Sequence, residues 1–363
     1  MKKIVFLVTN DLTYDQRMQR ICSTLADNGY AVTLVGFLKK RSVKTIQGNF
    51  KQVRLHVFFK KGKLFYVEYN FRLFWWLLFH SFDIYCGIDL DTLLPAFIIS
   101  RLKRKICVYD AHEYFTELPE IIHRPLIRKF WTSLEKFLLP RIKYNYTVGN
   151  AIAQVLSEKY KQKFEVIRNV PVLIDAAEAE TSVQNYILYQ GALNQGRGLE
   201  NLMLAMKDVE ADLYLAGEGD LSRELRAFAA QLPHAKKIRF LGYIRPAALK
   251  QYTQQAKLGI NLVENRGLSY YYSLSNKFFD YIHAGKPQVS MNFPEYRQLN
   301  DEYHVALLID EPVPDAISNA INQLLNNHEL YQKLCQHTLR AKNDLNWQKE
   351  RIKLIQFYAG IER

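Results

Sequence analysis

The residues most suited to chemistry lie in the stretch 273–287, which reads S-L-S-N-K-F-F-D-Y-I-H-A-G-K-P. Its apolar residues recur at helical spacing, and Gly285 followed by Pro287 predicts the end of that helix. Ser275 or Asn276 can cap the helix start, where backbone N–H groups point away from the helix. The stretch therefore predicts a short helix whose N-terminus can bind an anion.

Lys277 and Asp280 lie in the first turns of this predicted helix. A lysine in the first turn opposes the helix dipole, so its presence indicates an anion that the lysine and the dipole would bind together. Asp280, one turn further on, can accept hydrogen bonds from sugar hydroxyls. The alternative that the residues alone leave open is a solvent-exposed helix face without a ligand.

His112 and Glu113 follow the predicted strand 106–109 in the motif D-A-H-E-Y-F, which begins at Asp110. In an open α/β sheet, ligands gather at the carboxyl ends of the strands, so these two side chains lie where chemistry is expected. A metal site is disfavoured because the sequence identifies no distant ligands for this motif. The residues alone leave open whether His112 is catalytic.

Strands and helices alternate in two successive runs, which predicts an α/β protein with two parallel sheets. The first run opens with strand 4–8, helix 15–28 and strand 31–36. Its first turn has no glycine, so the dinucleotide-binding fingerprint of Rossmann dehydrogenases is absent. Residues 169–184 contain a proline and an acidic, alanine-rich run, which predicts a linker before the second run. We expect the two halves to face each other across a cleft.

The composition is that of an ordinary globular protein, with 363 residues of which 48% are hydrophobic and 23% charged. This length is long for one core and predicts two domains. The 4 cysteines are scattered without metal-ligand spacing, which fits a reducing cytoplasm. The apolar run after the first three residues is too short for a signal-peptide core, so we expect a protein that is not secreted.

The net charge of +13 is carried by the first half of the chain. Residues 1–165 contain 27 Lys and Arg against 14 Asp and Glu, whereas residues 166–363 contain 22 of each sign. Such an excess indicates either anionic lipid or nucleic acid as a partner, because both present dense phosphate. No nucleic-acid-binding motif is recognisable, which disfavours nucleic acid.

The aromatic segment 64–82 favours a membrane surface as the partner. It follows Lys60, Lys61 and Lys63, and aromatic residues beside lysines suit a helix that lies in the membrane interface. It cannot span a bilayer, because its uninterrupted apolar core, residues 73–79, is far too short. A core helix whose tryptophans pack inward is the alternative.

Six motifs occur in order along nearly the whole chain. They are D-Q-R-M from Asp15, D-A-H-E-Y-F-T-E-L-P-E from Asp110, G-A-L-N-Q-G-R-G-L-E-N-L from Gly191, A-G-E-G-D from Ala216, F-L-G-Y-I from Phe240 and N-K-F-F-D-Y-I-H-A-G-K-P from Asn276. In this order and spacing the chain resembles the GT-B glycosyltransferases, specifically the retaining family 4 group that builds bacterial surface polysaccharides.

The resemblance implies the organisation of the chain. An N-terminal, acceptor-side Rossmann-like domain covers residues 1–168, and the linker covers residues 169–184. A C-terminal, nucleotide-sugar-binding Rossmann-like domain covers residues 185–345. Residues 346–363 form a crossover helix that returns to the N-terminal domain.

The resemblance also implies a reaction and roles for named residues. A sugar is transferred with retention from a nucleotide sugar, by family habit a uridine one, and the diphosphate leaving group is neutralised by Arg197, Lys277 and a helix dipole rather than by a metal. His112 matches the histidine at the reaction centre. The implied donor-binding residues are Gly191, Gly198, Gly217, Gly219, Tyr243, Ile244, Ser275, Asn276 and Asp280. The implied acceptor-side residues are Asp15, Arg17, Glu113 and Glu117.

No cofactor or metal is expected in a site of this kind. Asp89-Leu-Asp91 has the spacing of a metal-binding D-x-D motif. The simpler interpretation is that Asp91 is the N-cap of a helix that begins at Thr92.

Two positions depart from the family pattern. Ala192 stands where the family often has an arginine, and Tyr272 stands where the family has the first glutamate of an E-x7-E pair. Lys277 is the expected replacement for the arginine, and Glu264 can replace the glutamate only if its loop folds back. These departures motivate an alternative, a degenerate, non-catalytic GT-B module that binds a nucleotide sugar or a partner protein.

The leading expectation is a cytoplasmic enzyme on the inner face of the cytoplasmic membrane. Its basic, aromatic N-terminal half would hold it on an anionic membrane surface, beside a lipid-linked or polysaccharide acceptor. The sequence does not identify the donor sugar, the acceptor or the linkage.

Overall fold

The computed structural model describes residues 1–13, 15–39, 42–45, 48–174 and 182–361. The chain divides into two compact units. Unit 1 comprises residues 1–169 and 350–363, and unit 2 comprises residues 170–349. Part of the predicted linker, residues 175–181, lies outside the described residues.

Unit 1 is built on a parallel sheet of seven strands in the order β3-β2-β1-β4-β5-β6-β7. The strands are β1 (Lys3–Leu7), β2 (Ala31–Phe37), β3 (Lys51–Leu55), β4 (Ile84–Ile88), β5 (Ile106–Ala111), β6 (Tyr144–Thr147) and β7 (Phe164–Val166). The helices are α1 (Gln16–Asp27), α2 (Gly62–Phe79), α3 (Asp89–Leu102), α4 (Pro119–Ile122), α5 (Pro125–Leu138) and α6 (Asn150–Tyr160). The strand order reverses at β1, which pairs with both β2 and β4, and such reversal points are where open α/β sheets bind ligands.

Unit 2 is built on a parallel sheet of six strands in the order β10-β9-β8-β11-β12-β13. The strands are β8 (Tyr186–Gln190), β9 (Asp212–Ala216), β10 (Ile238–Gly242), β11 (Leu258–Asn261), β12 (Gln288–Met291) and β13 (Ala306–Ile309). The helices are α7 (Leu199–Ala205), α8 (Ser222–Ala230), α9 (Pro246–Gln255), α10 (Leu268–Tyr271), α11 (Asn276–His283), α12 (Pro294–Tyr303), α13 (Pro314–Asn326) and α14 (His328–Ala341). Here the order reverses between β8 and β11, so β8 and the helix α11 lie at the reversal point.

The last helix, α15 (Trp347–Gly360), belongs to unit 1 from residue 350 onwards. Its buried Tyr358 packs edge-on against the rings of Phe6, Tyr30 and Tyr146. The carboxylate of Glu350 accepts a hydrogen bond from the backbone N–H of Arg168 at 2.9 Å. The C-terminal residues of the chain are therefore part of the core of the N-terminal unit.

Helix α2 has one buried and one exposed apolar face. Helix α2 buries Phe65, Tyr69, Leu73 and Leu77 against the sheet of unit 1. The opposite face is also apolar and lies in solvent; its exposed members are Leu64, Val67, Phe71, Trp75 and Phe79. Within the part of the chain that the structure describes, no helix is both long enough and apolar enough to span a membrane.

A close approach of helix to strand fixes α11 in unit 2. The ring of Tyr281 lies over Gly259, where a Cβ atom would come within 2.4 Å of the ring carbons. The Tyr281 hydroxyl donates to the backbone oxygens of Leu188 and Ile260, at 3.0 and 3.2 Å. Because these oxygens belong to β8 and β11, the tyrosine ties the helix to both central strands of the sheet.

Candidate functional site

Glycines join three loops at the carboxyl edge of the sheet of unit 2. A Cβ atom on Gly217 would lie 1.8 Å from the backbone oxygen of Gly191, and one on Gly219 would lie 2.2 Å from Asn194 Oδ1. The N–H of Gly217 in turn donates to the backbone oxygen of Gly242 at 2.9 Å. The loops after β8 and β9 and the end of β10 therefore lie in close contact, and the contacts at Gly217 and Gly219 leave no room for a side chain.

The start of helix α11 is held by hydrogen bonds that do not cap it. Ser275 occupies the N-cap position, but its hydroxyl donates to Asn261 Oδ1 at 2.7 Å and makes no cap bond to the helix. Its backbone N–H donates to the hydroxyl of Tyr296 at 3.0 Å. Ser275, one of the two predicted caps, therefore holds the N-cap position without a side-chain cap bond, because Asn261 of β11 binds its hydroxyl.

Lys277 is buried, with 8% of its surface exposed. Its Nζ atom lies 4.2 Å from the centre of the Tyr189 ring, so the aromatic face replaces part of the lost hydration. Burial, followed by the nearby Arg197 guanidinium, holds the pKa of Lys277 well below its ordinary value. The interpretation of Lys277 as part of a solvent-exposed helix face is therefore wrong.

Arg197 completes a pair of cations in unit 2. Its guanidinium lies 4.9 Å from the centre of the Tyr270 ring. Within the described residues, neither Arg197 nor Lys277 forms an ion pair with a carboxylate. Two neighbouring positive charges without a counter-charge repel each other and favour an anion between them.

Asp280 is oriented one turn along the same helix. Gln190 Nε2 donates to Asp280 Oδ2 at 2.8 Å, and Gln190 Oε1 accepts from the hydroxyl of Thr253 at 2.8 Å. This chain of bonds fixes the carboxylate relative to the end of β8. Tyr243 is exposed and Ile244 is half-buried after β10.

Glu264 lies beside the loop that carries Arg197. Its backbone N–H donates to the oxygen of Gly196 at 2.9 Å, whereas its carboxylate is bound by Arg266 Nε at 2.5 Å. The loop therefore does bring Glu264 back towards residues 191–198. The carboxylate is engaged by Arg266, so a ligand would have to share it.

In unit 1, Arg17, Asp110 and His112 form one hydrogen-bonded group at the end of β5. Arg17 Nη2 donates to Asp110 Oδ1 at 3.1 Å, and His112 Nε2 lies 3.0 Å from Asp110 Oδ2 and 3.0 Å from Arg17 Nε. Burial alone would raise the pKa of Asp110, but Arg17 and His112 lower it below its ordinary value. Burial alone would lower the pKa of His112, but Asp110 raises it.

The remaining acceptor-side residues have defined structural partners. Asp15 caps α1 by accepting from the N–H of Met18 at 2.9 Å, and Glu117 pairs with Arg128 at 2.6 Å. Glu113 is exposed. Arg17 and His112 thus share one hydrogen-bonded group, whereas Asp15 and Glu117 hold local structure.

Asp91 does not have the N-cap role that the sequence predicts. Helix α3 begins at Asp89, so Asp91 lies buried in its first turn and is not the N-cap. Asp89 adopts a left-handed backbone with φ of 53° and accepts from the N–H of His112 at 2.8 Å. Burial, with Asp89 adding to it, raises the pKa of Asp91 to about 8. Among the described residues, no group of three potential ligands could hold a metal.

Solved structures with this architecture cover almost the entire chain. Sucrose-phosphate synthase from Thermosynechococcus elongatus has a TM-score of 0.80 at 14% identity, covering 99% of each chain. Anabaena HepE in complex with UDP-glucose has a TM-score of 0.77 at 13% identity, covering 99% of this chain and 100% of its own. The glycosyltransferase WaaG, involved in lipopolysaccharide biosynthesis, has a TM-score of 0.74 at 13% identity, covering 96% and 98%.

The fold is GT-B. Its two Rossmann-like units have parallel sheets of seven and six strands, as the sequence predicts. Residues 174–339 match the family model described as glycosyl transferases group 1. No curated protein matches the sequence. The GT-B fold is therefore supported by the backbone of the whole chain, whereas the match to the family model involves only residues of unit 2.

Sequence reasoning missed the residues that hold the cations and Asp280 in place. Tyr189 and Gln190 end the apolar strand β8, and Tyr270 lies in the short helix α10. The signal that could have identified them is the reversal of strand order next to β8, because ligands bind at the carboxyl ends of the strands at such a reversal.

Substitution of the buried lysine should stabilise unit 2. We expect Lys277→Met to raise the free energy of unfolding by about 1 kcal/mol or more near neutral pH, because it removes a buried charge without an ion-pair partner. The pKa of Lys277 is lower in the folded protein than in the unfolded chain. Between these two pKa values the stability of the wild type rises with pH, so the stability gain of Lys277→Met should shrink as pH rises. Urea unfolding at several pH values, with the exposed Lys250→Met as control, measures this. An equal or lower stability of Lys277→Met would contradict it.

Proposed function

We propose that the protein is a glycosyltransferase that transfers a sugar from a nucleotide-sugar donor, with a UDP-sugar as the expected donor. The match of residues 174–339 to the glycosyl transferases group 1 model supports glycosyl transfer. The similarity of the whole backbone to a protein solved with UDP-glucose supports that donor class.

The observation that carries the proposal is the cation pair in unit 2. A buried lysine beside an arginine, with no carboxylate partner for either among the described residues, costs free energy unless an anion binds. A diphosphate would provide the missing negative charge and would strengthen both interactions in a partly dry site. In this proposal Lys277 supplies the charge that Ala192 lacks.

The rest of the donor would use the neighbouring groups. Asp280, held by Gln190, would accept hydrogen bonds from the ribose hydroxyls. The glycine contacts at Gly191, Gly217 and Gly219 would let backbone approach the sugar diphosphate closely. The main chain at Tyr243 and Ile244 would contact the base.

The reaction we propose is transfer with retention and without a metal. The bond from the sugar C1 to the diphosphate oxygen breaks, and a bond from C1 to the acceptor oxygen forms on the same face. The acceptor proton passes to the departing phosphate oxygen. Arg197, Lys277 and the α11 dipole would stabilise the charge that develops on the leaving group.

His112 would act on the reacting sugar. Its backbone N–H is fixed by Asp89 and its ring by Asp110, so the imidazole is preorganised. Asp110 also favours the protonated ring, which suits a group that donates a hydrogen bond to a sugar hydroxyl. His112 is thus proposed as a binding and orienting group in catalysis.

The proposed acceptor is lipid-linked or a polysaccharide, in the assembly of a cell-surface glycan such as lipopolysaccharide, capsule or exopolysaccharide. The support is the outward face of α2, where Phe79 is 77% and Val67 68% exposed. Lys60 and Lys61 directly precede that helix, and Lys63 lies in its first turn. An apolar face beside lysines fits an anionic membrane interface, and we propose that the protein binds the cytoplasmic side of the membrane.

Removal of the His112 imidazole should lower the rate of sugar transfer without weakening the binding of UDP. We expect His112→Ala to lower the rate of sugar transfer or donor hydrolysis about 100-fold or more, because an oriented group at the reaction centre is lost. Affinity for UDP should change little, because the proposed donor residues all belong to unit 2. A screen of UDP-, GDP- and ADP-sugars without added metal measures the rate of transfer or hydrolysis, and calorimetry measures the affinity for UDP. Wild-type protein that binds UDP yet turns over no donor would favour the non-catalytic alternative.

Binding to membranes should depend on the α2 face and on salt. We expect the wild type to sediment with vesicles that contain phosphatidylglycerol at low salt and to be released at high salt. Phe71→Ser with Phe79→Ser should abolish most of this binding. Leu204→Ser with Val313→Ser, two partly exposed apolar positions in unit 2, is the matched control. Absence of wild-type binding at low salt would remove the membrane proposal and leave the donor site untouched.

A further inference from the structure

A cleft of about 530 Å³ lies in unit 1, beside helix α5. Its lining includes four cations and two hydroxyl groups, which are Arg128, Lys129, Lys136, Lys159, Thr132 and Ser133. A volume of this size suits a small-molecule group rather than a single ion. None of its lining residues belongs to the cation pair of unit 2 or to the Arg17, Asp110 and His112 group.

Helix α5 presents a different surface on each of three sides. One side is buried and contains Trp131, Glu135 and Leu138. The cleft side carries the polar and cationic residues 128, 129, 132, 133 and 136, which recur at helical spacing. The third side is apolar and exposed, with Leu126 at 82%, Phe130 at 59% and Phe137 at 49%. A row of cations therefore runs directly beside a row of exposed apolar side chains.

Lys159 is held at the cleft by a buried network. Glu135, which is 1% exposed, accepts through Oε2 from Lys159 Nζ at 3.1 Å and from the Tyr160 hydroxyl at 2.6 Å. Lys159 Nζ also donates to the hydroxyl of Tyr114 at 3.0 Å. Burial lowers the pKa of Lys159, but Glu135 and Tyr114 together more than offset this, so the net direction is upward. This cation is thus preorganised before any ligand arrives.

The charges around the cleft do not balance. Arg128 pairs with Glu117 at 2.6 Å, and Lys159 pairs with Glu135. Lys129 and Lys136 form no ion pair with any described residue. The cleft therefore has an excess of positive charge, and the hydroxyls of Thr132 and Ser133 add neutral hydrogen-bond donors between the cations.

We propose that this cleft binds a phosphate or diphosphate group of the acceptor substrate. The assignment of this group to the acceptor substrate rests on the proposed function, whereas the anion site itself rests on the cleft alone. Cations with hydroxyl donors at helical spacing match the several oxygens of a phosphate group. The group can belong to a lipid carrier, whose hydrocarbon would contact Leu126 and Phe130, or to a soluble phosphorylated glycan.

The test uses the intact protein and three soluble probes in calorimetric titrations. Geranyl diphosphate carries both chemistries, inorganic diphosphate lacks the hydrocarbon, and geraniol lacks the phosphates. We expect geranyl diphosphate to bind and geraniol not to bind. Stronger binding of geranyl diphosphate than of inorganic diphosphate would assign the group to a lipid carrier, and equal binding would assign it to a soluble phosphorylated acceptor.

Charge reversal on α5 identifies the cleft as the location. In an Arg197→Ala background, which removes the proposed diphosphate site of unit 2, Lys129→Glu with Lys136→Glu should weaken diphosphate binding about tenfold or more, because two charge-assisted contacts become repulsive. Both lysines are exposed, so the variant should fold. Lys207→Glu with Lys333→Glu makes the same change of net charge on exposed positions of unit 2 and should leave the affinity unchanged.

Two results would overturn the proposal. One is unchanged diphosphate affinity when Lys129→Glu and Lys136→Glu are added to the Arg197→Ala background. The other is loss of diphosphate binding in Arg197→Ala, which would place the probe in the site of unit 2. UDP titrations of the same proteins test the proposed function separately, since a protein that fails to bind UDP can still bind geranyl diphosphate through α5.

Discussion

The buried ammonium group of Lys277 beside Arg197 is the constraint on which the proposed donor site depends. Two like charges near each other in a partly dry environment are unfavourable, and burial of the lysine adds to the cost. The structure holds them there by aromatic faces, Tyr189 under the lysine and Tyr270 under the arginine. It also anchors α11 through Tyr281, which ties the helix to two strands. An arrangement that costs stability and is held this firmly is typical of a functional site.

In unit 1, by contrast, the buried cation has a carboxylate partner. Arg17 and Asp110 are both buried, but they neutralise each other at 3.1 Å, and His112 joins them through the same carboxylate. The charges of Arg17 and Asp110 balance without a ligand, and the pair can orient the imidazole before a ligand binds. This contrast fits the proposed roles, in which unit 2 binds the donor diphosphate and unit 1 orients the reacting sugar. Unit 2 lacks the counter-charge that a diphosphate would supply, whereas the histidine of unit 1 is already in place.

The sequence predicts most of what is determined locally. Gly285 and Pro287 end α11 by their own backbone preferences, so its bounds follow from the sequence. The two-sheet fold follows from the alternation of strands and helices. By contrast, the burial of Lys277 depends on Tyr189, which is distant in the chain. The exposed face of α2 was undecidable because both faces are apolar, and Asp91 was misassigned because α3 starts at the left-handed Asp89.

The most direct test of the account is calorimetric titration of the metal-free protein with UDP, in buffers of different ionisation enthalpy, between about pH 7 and 10. Because the pKa of Lys277 is lowered in the empty protein, binding of a diphosphate should raise it, and the protein should take up protons as UDP binds. Lys277→Met should abolish this uptake and weaken binding, whereas Lys286→Met, at another buried lysine with a lowered pKa, should do neither. Failure of the wild type to bind UDP, or equal proton uptake in Lys277→Met, would contradict the account.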